Sequence, residues 1–154
     1  MFDRLIALLK TSAEEPQSPD DLRVAVAVLL LEAAHMDDKF GQEEREVIER
    51  LLMERFDLSE QESKALTDFS EERIGRVVQL HPYTRTCFTR MPPEQRVQLI
   101  EMLWEVAYAD GVLDAQEDAL LRRISNLIYI TDRERIHARQ RVLARMGKNR
   151  GTLQ

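Results

Sequence analysis

A chain of 154 residues, 44% apolar and 32% charged with five Gly and five Pro, is sized for one domain that buries its own core, and this composition excludes a disordered or disulfide-stapled chain. Net charge is −6, laid down as −13 over residues 1–120 (13 basic, 26 acidic) and +7 over 121–154 (9 basic, 2 acidic), so an acidic body repels phosphates and no nucleic-acid partner is expected. The longest apolar run, Val24 to Leu31, is far short of the roughly 20 residues that span a bilayer, and a lone Cys87 with no secretory signal leads to an expected cytoplasmic protein with no transmembrane segment.

In chain order the elements read as helices. FDRLIALLK is a short amphipathic opener and TSAEEPQSP a polar linker, which together set residues 1–18 apart. Ser18 before Pro19 predicts an N-cap with Pro at the first helical position. The helix so opened, about 19–36, is apolar on nearly every side through Val24 to Ala34 and belongs in the middle of the fold. Over 42–56, Val47, Ile48, Leu51, Leu52 and Phe56 repeat at the spacing of one helical face. Ser59-Glu60-Gln61-Glu62 is a capping box for a short helix, Ser70 caps another through about Leu80, and His81-Pro82 breaks or kinks it. PYTRTCFTRM adds a turn or two before Pro92-Pro93 opens a helix over 93–110. Helices of about 115–129 and 132–146 follow, the last opened by Thr131-Asp132-Arg133-Glu134, and 147–154 frays as a flexible tail. The class is all-α, one compact domain of about seven to eight helices over 19–146. Arg133, Arg135, Arg139, Arg141 and Arg145 are the solvated face of the last helix, or else a docking surface for an acidic partner or for the chain's own acidic half.

The stretch AYADGVLDAQE, residues 107–117, resembles the second half of a calcium loop. With Gly111 at loop position 6, Asp110, Asp114 and Glu117 take positions 5, 9 and 12, whereas Val106 and Tyr108 at positions 1 and 3 supply no carboxylate. The same residues also suit an ordinary turn, with Gly111 as the left-handed residue past a helix and Asp114 with Glu117 as a capping box.

An internal repeat enlarges the site. EAAHMDDKFGQEEREVIERL, from Glu32, lies over EVAYADGVLDAQEDALLRRI, from Glu105, at a constant offset of 73 residues. Asp37 matches Asp110, Glu44 matches Glu117 and Arg50 matches Arg123, and after one deletion Leu58-Ser59-Glu60-Gln61-Glu62 falls over Ile130-Thr131-Asp132-Arg133-Glu134. Copies of about 24–68 and 97–146 predict two helix-turn-helix units about a pseudo-twofold axis. If that axis brings the turns together, Asp37, Glu44, Asp110, Asp114 and Glu117 can pool the several oxygens a hard cation, Ca or Mg, requires. Glu32 and Glu105 sit in apolar stretches and need a partner, either Arg50 or Arg123 as an ion pair or a supporting place behind a metal site.

These residues resemble a known family. An alanine-rich helix running into A-D-G-x-hydrophobic-D-x-x-E, followed by a leucine-rich helix and a capping box, is similar to the TerB-like (tellurite-resistance protein B) pattern. The resemblance covers roughly residues 20–146 and rests on AYADGVLDAQE and LLLEAAHMDDKFGQEEREVIERLLMERFDLSEQE. It implies an all-helical domain with acidic turns, divalent-metal binding, and a part in tellurite or membrane-stress resistance with protein partners of a stress-resistance complex or a second copy as a homodimer. The first copy departs from the pattern, with Asp38 where Gly is usual and Gly41 where an acidic or Ser cap is usual.

The function expected is a non-catalytic module that binds divalent metal at its acidic turns. The alternative is an interaction scaffold without metal, with Tyr83, Phe88, Met91 and Trp104 lining a groove or simply filling the core. A remoter alternative is a carboxylate-bridged di-iron protein, because Glu32 to His35 and Glu134 to His137 are both Glu-x-x-His, with Glu101 or Glu105 as further ligands. Glu134 is already used in a capping box and Tyr108 matches His35 in the second copy. Cys87 has no His in a recognisable arrangement, and no G-x-S-x-G or phosphate loop occurs.

Overall fold

The computed structural model describes residues 21–35, 41–74, 79–109, 113 and 115–150, the last three as backbone. The helices are α1 (Leu22–Ala34), α2 (Gln42–Phe56), α3 (Glu60–Ile74), α4 (His81–Arg90), α5 (Pro93–Ala107), α6 (Ala115–Leu127) and α7 (Asp132–Arg150), and among the described residues there is no strand. None of these helices is long and apolar enough to cross a membrane. The opener, Ser18 and Pro19 lie outside the described residues.

α1 is the centre. Val24 to Leu31 are all fully buried, and Ala33 and Ala34 nearly so, because α1 packs against α2, α3, α4, α5 and α6. A helix surrounded in this way has no polar face to keep, and each buried Val or Leu contributes about 1.5–3 kcal/mol. The helix starts at Leu22 rather than near 19, since Asp21 is extended and its carboxylate accepts the Arg23 N–H at 2.9 Å. Asp21 is thus the N-cap of α1.

Two other boundaries depart from the sequence reading. α3 is one helix through Ser70, which caps nothing: Ser63, Leu66, Thr67 and Ser70 form its buried face at helical spacing. Pro82 opens a helix instead of breaking one, because Pro is favoured in the first turn, where no N–H is needed, and PYTRTCFTRM forms most of α4. α5 ends at Ala107 and α6 at Leu127, each short of expectation, and α7 runs on to Arg150, past the expected end at 146.

Local structure follows the repeat offset. Ala34 and Ala107 end α1 and α5, and Gln42 and Ala115 open α2 and α6, 73 residues apart in both cases. Among the described residues Asp57 (φ 55°) and Tyr129 (φ 60°) are the non-glycine positions with positive φ. Past each, a helix-ending bond closes, Leu58 N–H to Met53 O at 3.1 Å and Ile130 N–H to Ser125 O at 2.8 Å. Ser59 with Glu62 and Thr131 with Glu134 then form equivalent capping boxes at the heads of α3 and α7.

α7 is fastened to α5 by the arginines expected to be solvated. Arg141 and Arg145 bond Glu101 at 2.9 and 3.0 Å, and Arg145 also reaches Glu105 at 3.2 Å. Arg139 donates to the Tyr108 hydroxyl at 2.8 Å and lies 5.6 Å from the Trp104 ring centroid. The basic tail therefore docks on the chain's own acidic half. Trp104 and Met91 are buried core residues, Tyr83 is half-buried and Phe88 is exposed, so these four form no common groove lining.

Candidate functional site: two acidic turns

Both turns are entered from the end of a buried helix. His35 ends α1 with its N–H on Leu31 O at 2.9 Å, and Tyr108 ends α5 with its N–H on Trp104 O at 2.9 Å. Asp37 and Asp110 follow in sequence, and with Asp114 they lie outside the described residues. Leu113, between them, is half-buried and packs on the core.

Each turn delivers a carboxylate at the head of the next helix. Glu44 is 7% exposed, and its Oε1 accepts the Gly41 N–H at 2.8 Å. Gly41 has no side chain to return the bond, so only half of a capping box is made. Glu117, 4% exposed, holds the equivalent place in the first turn of α6, where the helix macrodipole favours its charge. Both carboxylates are thus buried in the first turn of a helix.

Glu105 has the ion-pair partner expected of it, and Glu32 lies in the field of Arg123. Glu105 accepts from Arg50 at 3.0 Å and Arg145 at 3.2 Å. Burial pushes the Glu32 carboxyl above its usual range, while the charges of His35 and Arg123 pull it down. Glu105 thus pairs with Arg50, while Glu32 lies in the field of Arg123, 73 residues after Arg50. Because the folded pKa of Glu32 lies above its ordinary 4.5, the stability it contributes is full below that value and is lost as pH rises through the folded pKa. Glu32→Gln is therefore expected to gain stability over wild type between pH 4 and pH 7 in urea titrations. An equal difference at both pH values would mean that Arg123 fully offsets burial.

A second polar cluster borders the first turn. His35 Nε2 lies 3.6 Å from Glu71, and Arg45 binds Glu71 at 2.7 Å, Glu49 at 3.1 Å and Asp68. Burial disfavours the Arg45 charge, but these carboxylates more than compensate and hold its pKa above the ordinary value. Sequence reasoning missed this hub, since its members come from three helices with no motif between them.

Among the described residues, no three His, Cys, Asp or Glu side chains come close enough to share a metal ion. Glu44, Glu117, Glu32 and Glu105 accordingly form no pooled site among themselves. The two Glu-x-x-His motifs do not converge either, as His35, Glu134 and His137 are exposed and Glu134 caps Thr131. Cys87 is buried, and burial pushes its thiol up to about 12, which keeps it protonated and unreactive at neutral pH.

A family model described as tellurite resistance protein TerB matches residues 23–140, 118 of the 154 residues. No curated protein and no solved structure matches the chain significantly.

Proposed function

The chain belongs to the tellurite resistance protein TerB family, and from that premise we propose that it is a non-catalytic cytoplasmic module in tellurite or membrane-stress resistance. It takes a hard divalent cation, Ca or Mg, at its acidic turns and works with protein partners. The observation that carries this reading is Glu117, buried at the head of α6 directly after the Asp110 to Asp114 stretch. A bound cation would supply a cross-link between the end of α5 and the start of α6 through Asp110, Asp114 and Glu117. The first turn is the poorer ligand, because it carries Asp38 where Gly is usual and Gly41 where an acidic or Ser cap is usual. The shared helix ends and paired left-handed caps support a duplicated unit about an approximate twofold axis.

A scaffold without metal is the second reading, favoured by the arginine partners of Glu105 and the capping use of Glu44.

Calcium and magnesium titrations followed by Trp104 fluorescence and two-dimensional NMR separate the two. Trp104 reports on the second turn because it stacks on Tyr108, with centroids 5.8 Å apart, just before that turn. Shifts confined to Asp110 through Glu117 are expected. Asp110→Ala should abolish binding without loss of apo stability, whereas Glu117→Ala should weaken binding and cost about 0.5–2 kcal/mol from the lost helix start. No response at millimolar metal would leave only the scaffold.

A further inference from the structure

Two of the large apolar side chains that stand out in solvent touch one another. Phe88 is 38% and Tyr129 72% exposed, yet their rings pack with centroids 4.8 Å apart. The Arg96 guanidinium lies 4.7 Å from the Phe88 centroid. It is held there by two backbone carbonyls, Met91 O at 3.1 Å and Ile128 O at 2.7 Å. Three segments, α4, the start of α5 and the end of α6, therefore build a fixed aromatic and cationic platform rather than a loose surface cluster.

The backbone makes the exposure of Tyr129 more telling. At φ 60° it occupies the left-handed helix-ending position that glycine takes at least cost and that a bulky side chain resists. Burial does not compensate, since most of the ring is in solvent. Backbone strain that holds an exposed aromatic ring in place is a mark of a binding residue.

Charge selects the partner. α4 contains no Asp or Glu, and Arg85, one turn before Phe88, is exposed, as is Arg133 in the first turn of α7. Of the nearby acids, Asp132 pairs with Arg135 at 2.5 Å and Glu134 accepts the Thr131 N–H at 3.0 Å, and Glu94 stands exposed in the first turn of α5, outnumbered by Arg85, Arg90, Arg96 and Arg133. On a chain of net charge −6 this is a local basic patch with an aromatic floor. We propose that Phe88, Tyr129 and Arg96, flanked by Arg85 and Arg133, dock an acidic segment of a partner protein that carries an aromatic or aliphatic side chain beside its carboxylates. The apolar group rests on the two rings and the carboxylates meet the guanidinium groups. The site gives a surface to the protein-partner part of the proposed function and needs no metal.

The test selects a random dodecapeptide display library on the full-length protein in EDTA, so that failure of the metal reading leaves the outcome untouched. Enriched peptides are expected to be acidic and to contain aromatic or aliphatic residues. Binding of the best synthetic peptide, by fluorescence anisotropy, should weaken at least about tenfold in Tyr129→Gly, while the thermal midpoint stays the same or rises as the backbone relaxes. The proposal is overturned by no enrichment, by neutral or basic winners, or by equal binding to the variant. It is equally overturned if Tyr129→Gly lowers the midpoint, if a single-stranded oligonucleotide competes more tightly than the peptide, or if ultracentrifugation finds this face closing a dimer.

Discussion

Trp104→Ala is expected to cost the fold about 3–5 kcal/mol, the range for deleting a large buried aromatic side chain. The ring is 1% exposed and stands where α5 meets α7. Its Nε1–H donates to Arg135 O at 3.3 Å, Tyr108 stacks on it, and the Arg139 guanidinium covers both rings. Removing it opens a cavity and unseats α7 together. Trp104→Phe keeps most of the apolar area and loses the one N–H donor, so its cost should be nearer 1 kcal/mol. Urea titrations followed by far-ultraviolet circular dichroism measure both without relying on the lost fluorophore. A Trp104→Ala protein within about 1 kcal/mol of wild type would mean that the Arg141 and Arg145 ion pairs, which are half-exposed and individually weak, hold α7 instead.

That anchor explains why the acidic and basic parts of the chain segregate. Glu101 and Glu105 lie on α5, where Glu101 has its ion pairs from α7 and Glu105 is shared between α7 and Arg50 of α2. Arg141 and Arg145 are their partners on α7. The proposed cation site draws on Asp110, Asp114 and Glu117, which follow one another in the chain.

How far such features could be read in advance depends on their range. α1 was legible because a run with no polar face has only one place to go, and both capping boxes were legible because Ser59 with Glu62 and Thr131 with Glu134 are local pairs. Pro82 misled because Pro interrupts a helix or opens one according to its neighbours, and Ser70 because a small polar side chain fits a cap and a packed helix face alike. The docking of α7 depends on partners 31 to 44 residues apart, from Trp104 with Arg135 to Arg145 with Glu101, which no local pattern encodes. Within the candidate site, Glu44 and Glu117 are recognisable from their place behind each turn and Arg50 is among the partners the sequence offers Glu105, whereas the second hold on Glu105, by Arg145, depends on the packing of α7 on α5. The strained Tyr129 gave no signal because the position asks for glycine and the chain supplies an aromatic ring.

Cys87 should make the wild-type protein lose stability steeply in alkali. Its thiol moves from an ordinary 9.0 to about 12 in the folded state, mainly by burial, with the Arg55 charge opposing. A folded pKa above the unfolded one means that the unfolded chain releases the proton first. The stability is therefore full below pH 9 and is lost as pH rises toward 12, at about 1.4 kcal/mol per unit and about 4 kcal/mol in all. Cys87→Ala removes this term and leaves a small cavity costing about 1–2 kcal/mol at every pH. The two stability curves should then cross near pH 10, with the variant the weaker protein at pH 7 and the stronger at pH 11. Tyrosine and lysine titrations are common to both proteins and cancel in the comparison. Parallel curves would show that the thiolate is reachable in the folded state, in which case an alkylating reagent at pH 8 would modify Cys87 without unfolding, and the chain would hold a usable nucleophile after all.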